Sequence, residues 1–150
     1  MTTKVVQQGT VSANLIGRWE RAGQKLAALA EEIPESKFDY RPAHDVRTFA
    51  EVLRHVAFWN HHVADLARGR KGDDTANELP KDEFSTKPQI IRALKQSAAD
   101  AAGALRESPS GLNLEMAEMV VTFIEHNCEH YGQLVVYARL NGIVPPASRS

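Results

Sequence analysis

The longest amphipathic stretch of the chain runs from Leu114 to Leu140 and reads LEMAEMVVTFIEHNCEHYGQLVVYARL. Its apolar residues recur at three- and four-residue spacing, which is typical of one face of an α-helix and unlike the alternation of a strand. No proline interrupts the stretch, and Gly142 followed by Pro145 and Pro146 is typical of a helix end. The pattern predicts one long helix whose apolar face packs against other helices.

Three further segments have the same periodicity. They predict helices from about Val11 to Glu32, from about Phe49 to Arg68 and from about Lys87 to Glu107. Thr48 with Glu51, and Thr86 with Gln89, form two capping boxes, in which each side chain satisfies an orphan backbone N–H. Four long helices without strand signals predict an all-α fold, a four-helix bundle.

The connections between the helices predict the topology. The third and fourth helices are joined by the short link Ser108–Gly111, so they should pack antiparallel. The link from Arg70 to Ser85 is long and polar, and a link of this kind can cross the bundle and make the second and third helices parallel.

Length and charge limit the class of protein. The 150 residues fit one domain over residues 1–150, and the formal net charge of -1 argues against a nucleic-acid-binding surface. No stretch approaches the ~20 apolar residues of a membrane span, and the N-terminus lacks a signal-peptide core. The single cysteine, Cys128, permits a reducing compartment. We therefore predict a cytoplasmic protein without a membrane partner.

Three histidines form a candidate metal site. His126 and His130 lie four residues apart on the fourth helix, so both imidazoles can reach one metal ion. His55 on the second helix lies among apolar residues and is the candidate third ligand. His62 shares its face and is either a fourth ligand or a wall of the site, while Gln133 shares the face of His126 as a hydrogen-bond partner. From spacing alone, histidines satisfied within the core are an equal alternative.

The residues around the three histidines exclude one kind of metal site, and their own positions in the fold can be predicted. Residue 127 is asparagine, so the catalytic glutamate of an HExxH metalloprotease is absent. Cys128 should face away from the histidines and is predicted to be a small core residue. His61 is predicted to be solvated. Four aromatic side chains are predicted to belong to the core, namely Trp19, Phe58, Trp59 and Phe123.

Two segments resemble one known family. Residues 40–56, with YRPA and then TFAEVLRHV, and residues 126–146, with HNCEHYGQL and then YARLNGIVPP, resemble the two signatures of the DinB/YfiT-like family, in its order and at plausible separation. The chain departs from the family pattern at Trp59-Asn60, where an acidic residue is common, and at Tyr131, where arginine is common.

The resemblance implies a four-helix bundle with up-down-down-up topology, which agrees with the long second link. It also implies a divalent metal held by His55, His126 and His130, with water or substrate completing the coordination. Family members often form homodimers. Some are S-transferases that use a low-molecular-weight thiol such as bacillithiol or mycothiol, and many have no known activity.

Two classes of function follow. One is a metalloenzyme with a small-molecule substrate, either a thiol-dependent S-transferase or a hydrolase in which Glu51 or His62 would be the nearby base. The other is a non-catalytic metal-binding or interaction bundle. All-imidazole ligation suits zinc, nickel, iron or copper, and of these zinc and nickel are favoured.

Overall fold

The computed structural model describes residues 2–150, with side chains from residue 9 onward. It contains four long helices, which are α1 (Thr2–Glu32), α2 (Phe49–Ala67), α3 (Lys87–Arg106) and α4 (Leu114–Leu140). Two 3₁₀ turns, Glu35–Lys37 and Pro146–Ser148, follow α1 and α4. No β-strand occurs between residues 2 and 150, so the predicted all-α class is confirmed.

The helices begin where the sequence places capping residues. The Thr48 hydroxyl accepts from the Glu51 N–H at 3.1 Å, and the Glu51 carboxylate accepts from the Thr48 N–H at 2.6 Å. Thr86 and Gln89 form the second predicted capping box, at the start of α3. At the far end of α4, Gly142 adopts a φ of +73°, a conformation that glycine reaches without steric cost.

The start of α1 differs from the prediction. The helix begins at Thr2, nine residues before the predicted Val11. Residues 2–10 contain no proline to stop a helix, but their polar composition hides the apolar periodicity that marked the start. Once a helix has formed, each added residue makes one more backbone hydrogen bond without a new nucleation cost, so the helix can extend through these polar residues.

Contacts between helices define the topology. Asn60 contacts Ser97 and Arg68 contacts Asp100, so α2 and α3 run parallel. Trp19 contacts Ala98, whereas Lys87, at the start of α3, contacts Ile33 just past the end of α1, so these two helices are antiparallel.

Helix α4 completes the bundle. It is antiparallel to α2, because Tyr137 contacts Arg47 and His126 contacts His55. It is parallel to α1, because Leu112, just before α4, contacts Ser12. Tyr131, further along α4, likewise contacts Lys25, further along α1. The up-down-down-up topology is therefore confirmed, with residues 68–86 as the crossover segment.

The core has two apolar parts with a polar layer between them. One part contains Leu26, Leu53, Leu94 and Leu134, and the other contains Trp19, Val63, Ala101 and Val120. Asn60, Ser97 and Asn127 lie between these positions on their helices, and each is at most 1% exposed. Buried amides need hydrogen-bond partners, so this layer imposes a fixed arrangement on α2, α3 and α4. Among the described residues no helix has the length and apolar character needed to cross a membrane.

Candidate metal centre

The structure brings the three predicted histidines together between α2 and α4. One ring nitrogen from each of His55, His126 and His130 lies within 4.8 Å of the other two. The Nε2 atoms of His55 and His126 are 3.0 Å apart. His55 is buried and the other two are half-buried. We call these residues the histidine triad.

A buried chain of side chains orients His126. The Ser97 hydroxyl donates to the Leu94 carbonyl at 3.0 Å, so its oxygen accepts from the Asn60 amide at 3.2 Å. The Asn60 carbonyl oxygen then accepts from the Asn127 amide at 3.3 Å. This leaves the Asn127 carbonyl oxygen to accept from Nδ1–H of His126, at 3.3 Å. Because the chain ends on a backbone carbonyl, its direction and the tautomer of His126 are both determined.

A second chain orients His130 in the same way. The Tyr137 hydroxyl donates to the Arg47 carbonyl at 2.8 Å and accepts from the Gln133 amide at 2.8 Å. The Gln133 carbonyl oxygen, 2.9 Å from Nδ1 of His130, therefore accepts the proton on that nitrogen. Gln133 thus contacts the triad as predicted, although its partner is His130 instead of His126.

The crossover segment orients His55. Nδ1 of His55 donates to the backbone carbonyl of Asn77, at 2.7 Å. Asn77 has a φ of +62°, in the left-handed region that asparagine tolerates better than most residues. The Trp59 indole donates to the Asn77 side-chain oxygen at 2.9 Å and holds this conformation in place. Asn77, a loop residue, thereby determines which ring nitrogen of His55 carries the proton, although the two residues are 22 positions apart in the chain.

These contacts leave the histidine triad suited to a metal ion. Each Nδ1 carries its proton, so each neutral ring has a lone pair on Nε2. Lone pairs 3.0 Å apart repel unless a cation lies between them. Two imidazole nitrogens bound to one tetrahedral zinc ion are separated by about 3.3 Å, close to the observed spacing. The arrangement matches metal sites in which the second ring nitrogen donates to an oxygen.

The environment also favours neutral imidazoles. Burial lowers the pKa of His55 and of His126 to about 4, and it lowers the pKa of His130 as well. The positive charge of Arg47 lowers the pKa of all three residues further. Neutral imidazole is the form that binds metal, so the site is ready to do so at neutral pH.

An aromatic wall lies on one side of the triad and consists of Trp59, His62 and Phe123. The Trp59 and Phe123 rings stack, with centroids 5.7 Å apart, and both lie against His126. His62 packs on both rings, and its Nδ1 contacts the Asp73 carbonyl at 3.1 Å. A Cβ at Gly72 would lie 2.3 Å from Nδ1 of His62, so any larger residue there would force the His62 ring to shift. Of the two interpretations of His62, these contacts favour the wall.

Two expectations about neighbouring residues need correction. Cys128 is exposed, not a core residue, because the face opposite the histidines is the solvent face of α4. Trp59 and Phe123 are only half-buried and border the triad, whereas Trp19 and Phe58 are core residues as predicted. His61 is exposed as predicted.

Sequence reasoning missed five residues of the hydrogen-bond paths that end on the triad, namely Asn60, Asn77, Ser97, Asn127 and Tyr137. For Asn60 a signal existed, because it lies on the buried stripe of α2 between Val56 and Val63. A polar residue on an apolar stripe indicates a buried hydrogen-bond network. Asn77 had no such signal, since its role depends on how the crossover segment folds back on α2.

The contact between Asn77 and His55 leads to a prediction. Asn77→Gly keeps the left-handed conformation and the carbonyl, so we expect zinc affinity within a few-fold of the wild type. Asn77→Val should lower the affinity by about 10- to 100-fold, because a β-branched residue resists this conformation and displaces the carbonyl. Competition with a chromophoric chelator measures both variants. If both variants keep normal helicity and bind zinc with equal affinity, the position of the carbonyl of residue 77 has no influence on metal binding.

The lowered pKa values lead to a second prediction. Imidazoles with folded pKa values near 4 stay neutral when the pH falls from 7 to 5.5, whereas exposed ones protonate near 6.5. We expect metal occupancy to persist at pH 5.5 and to be lost as the pH approaches 4. Equilibrium dialysis at each pH, with circular dichroism to monitor folding, measures this. Loss of metal with a midpoint near pH 6.5 in folded protein would contradict the buried, neutral triad.

The fold and the site together define a class, that of α-helical bundles with a three-imidazole site able to hold a metal ion. The chain belongs to the DinB superfamily, whose sequence profile matches residues 18–134. The matched range contains the whole triad, and the superfamily is generally metal-binding. A comparison with curated proteins finds no significant match.

Proposed function

We propose that His55, His126 and His130 are the protein ligands of one divalent metal ion, with zinc and nickel as the favoured metals. One observation carries this proposal. Three separate hydrogen-bond paths hold the proton of each ring on Nδ1 and leave a lone pair on each Nε2, and one ring nitrogen of each residue lies within 4.8 Å of the other two. A core that merely tolerated its histidines would pair these nitrogens with donors.

We propose further that the protein is an S-transferase that joins a low-molecular-weight thiol to a small electrophilic substrate. A metal with three protein ligands keeps a position for an exogenous ligand and would favour the thiolate form of a bound thiol. The thiol comes from outside the chain, because Cys128 is exposed on the opposite face of α4. Such a thiol must stay reduced, which supports the proposed cytoplasmic location.

The residues around the triad suit this chemistry. Trp59 and Phe123 form an apolar surface beside His126, on which an electrophilic substrate can be oriented and partly shielded from water. The fixed tautomers keep all three rings in place without reorganisation during turnover.

Hydrolysis is the second enzymatic candidate. It needs a free base near the site, and the two candidates are Glu51 and His62. One oxygen of the Glu51 carboxylate is engaged in the capping box with Thr48. His62 donates through Nδ1 to the Asp73 carbonyl, which leaves Nε2 of the neutral ring as the better candidate base. A non-catalytic metal-binding bundle is the remaining candidate, and the experiment below separates it from the transferase.

The test combines metal-loaded protein with a fluorogenic electrophile and one thiol at a time, namely bacillithiol, mycothiol or glutathione, with a thiol-free control. We expect conjugation above background with one thiol, and its loss in His126→Ala. The matched control is His61→Ala, which changes an exposed histidine of α2 and should retain activity. Background rates with every thiol, in protein shown to carry metal, would favour the non-catalytic bundle.

We also propose that the protein forms a homodimer through the outer face of α4. Val121 and Val136 are exposed there, at 39% and 54%. Glu118 and Arg139 are exposed on the same face. The midpoint between Val121 and Val136 coincides with the midpoint between Glu118 and Arg139, and both fall just after Cys128. An antiparallel contact of two α4 helices would therefore pair valine with valine and Glu118 with Arg139.

Light scattering tests the dimer at micromolar protein. We expect a dimer for the wild type and a monomer for Val136→Glu, which places a charge in the apolar contact. The matched control is Val11→Glu, an equally exposed valine on α1, which should remain dimeric. A monomeric wild type would contradict the proposal.

A further inference from the structure

A polar cleft lies near the start of α2, separated from the histidine triad by the side chain of Gln133. Its volume is about 600 Å³, and Gln133 lines it. Gln133 is also the hydrogen-bond partner of His130, at 2.9 Å. A ligand in the cleft would therefore lie next to the candidate metal centre.

The acidic side chains of the cleft already have partners. The Glu78 carboxylate accepts from the Arg54 guanidinium at 2.7 Å. The Glu51 carboxylate accepts from the Thr48 N–H, and Asp45 contacts the His44 ring at 2.8 Å. None of these contacts is with Arg47, and the carboxylates keep their negative charge in the cleft.

The two arginines of the cleft differ. The Arg41 guanidinium donates to the backbone carbonyls of His44 and Val46. The Arg47 guanidinium makes no hydrogen bond or ion pair within the part of the chain whose side chains are described, although it lines the cleft and is half-buried. The backbone carbonyl of Arg47 is engaged by Tyr137. The guanidinium has lost part of its hydration and has gained no anion among the described side chains, so it is free to bind one that enters the cleft.

The position of Arg47 also matters for the metal. Its backbone carbonyl accepts from the Tyr137 hydroxyl, which accepts from Gln133, the hydrogen-bond partner of His130, so Arg47 lies near the triad. A divalent cation held by the triad would be repelled by a guanidinium charge at this position. An anion bound between the two would relieve both the unpaired guanidinium and the repulsion.

We infer that the cleft binds a carboxylate through Arg47, on a molecule whose other end reaches the candidate metal centre. The inference rests on the proposed function and specifies the chemistry of its ligand. A guanidinium donates two parallel hydrogen bonds to a carboxylate. The three acidic side chains nearby disfavour a phosphate dianion, which would be repelled more strongly than a singly charged carboxylate.

The experiment uses cobalt-loaded protein and small probes. The first pair is 3-mercaptopropionate and 3-mercapto-1-propanol, which have the same length and differ in the carboxylate, with binding followed by the thiolate-to-cobalt absorption band. The second probe is propionate, a carboxylate without sulfur, followed by the cobalt d–d bands. The two arms show whether the carboxylate belongs to the thiol or to another ligand.

We expect 3-mercaptopropionate to bind about tenfold more tightly than 3-mercapto-1-propanol, because its carboxylate forms a charge-assisted pair with the Arg47 guanidinium. Alternatively, propionate perturbs the cobalt bands. Either effect should vanish in Arg47→Gln and return in part in Arg47→Lys. The control Arg92→Gln removes the same charge from exposed α3 and should change nothing.

The outcomes separate the two claims. Failure of the wild type to bind cobalt would overturn the proposed metal function, and the inference with it. Cobalt binding in which no carboxylate probe depends on Arg47 would overturn the inference alone.

Discussion

Replacing His55 by alanine is expected to lower the affinity for zinc or nickel by at least about 100-fold, since altering a mere hydrogen-bond partner of a ligand already costs 10- to 100-fold. His55 is the sole triad member on α2, so the variant leaves two ligands on one helix. Two imidazoles hold a divalent ion far more weakly than three. Isothermal titration calorimetry on protein stripped of metal measures the change.

His61→Ala is the matched control, because it removes an exposed imidazole from the same helix. It should bind metal as the wild type does, and both variants should keep the helical circular dichroism spectrum. Unchanged affinity in folded His55→Ala would mean that the metal is held elsewhere.

The second large effect concerns stability. Trp19→Ala should lower the free energy of unfolding by about 3–5 kcal/mol, the usual result of truncating a buried aromatic residue. Trp19 is 1% exposed, and its indole donates to the Ala98 carbonyl at 3.0 Å, so it connects α1 to α3. Urea unfolding followed by circular dichroism measures the change.

Trp19→Phe is the conservative comparison, because it retains most of the apolar volume and loses the indole hydrogen bond. Its cost should be clearly smaller than that of alanine. A loss below about 1 kcal/mol for Trp19→Ala would be typical of a surface residue and would contradict the packing described here.

Helix boundaries were predictable where local chemistry determines them. The capping boxes at Thr48 and Thr86 begin α2 and α3 at the predicted residues, and α4 has both predicted ends. The start of α1 was wrong by nine residues, because its first two turns lack apolar periodicity. The topology followed from the length of the second link.

The histidine triad was predictable because helical spacing alone aligns His126 with His130, and an apolar neighbourhood indicates that His55 points inward. The sequence did not indicate which side of α4, apart from the histidine face, is buried. Cys128 was therefore predicted to lie in the core, and it is exposed. The orientation of a helix about its axis depends on all of its neighbours.

The partners of the triad depend on tertiary contacts. Asn77 reaches His55 only because the crossover segment folds back on α2, and Ser97 meets Asn60 only because α2 and α3 are parallel. No local pattern in the sequence predicts a tertiary contact of this kind. That the Arg47 guanidinium has no partner among the side chains of residues 9–150 likewise becomes visible only when the partners of every nearby charge are known.

Metal analysis of the protein purified without an affinity tag tests the central claim most directly. After incubation with zinc or nickel and removal of excess metal, elemental analysis should find about one ion per chain in the wild type. The variant with alanine at His55, His126 and His130 should bind none while remaining helical. Equal metal content in the wild type and the triple variant, or a wild type that binds neither metal, would contradict the account.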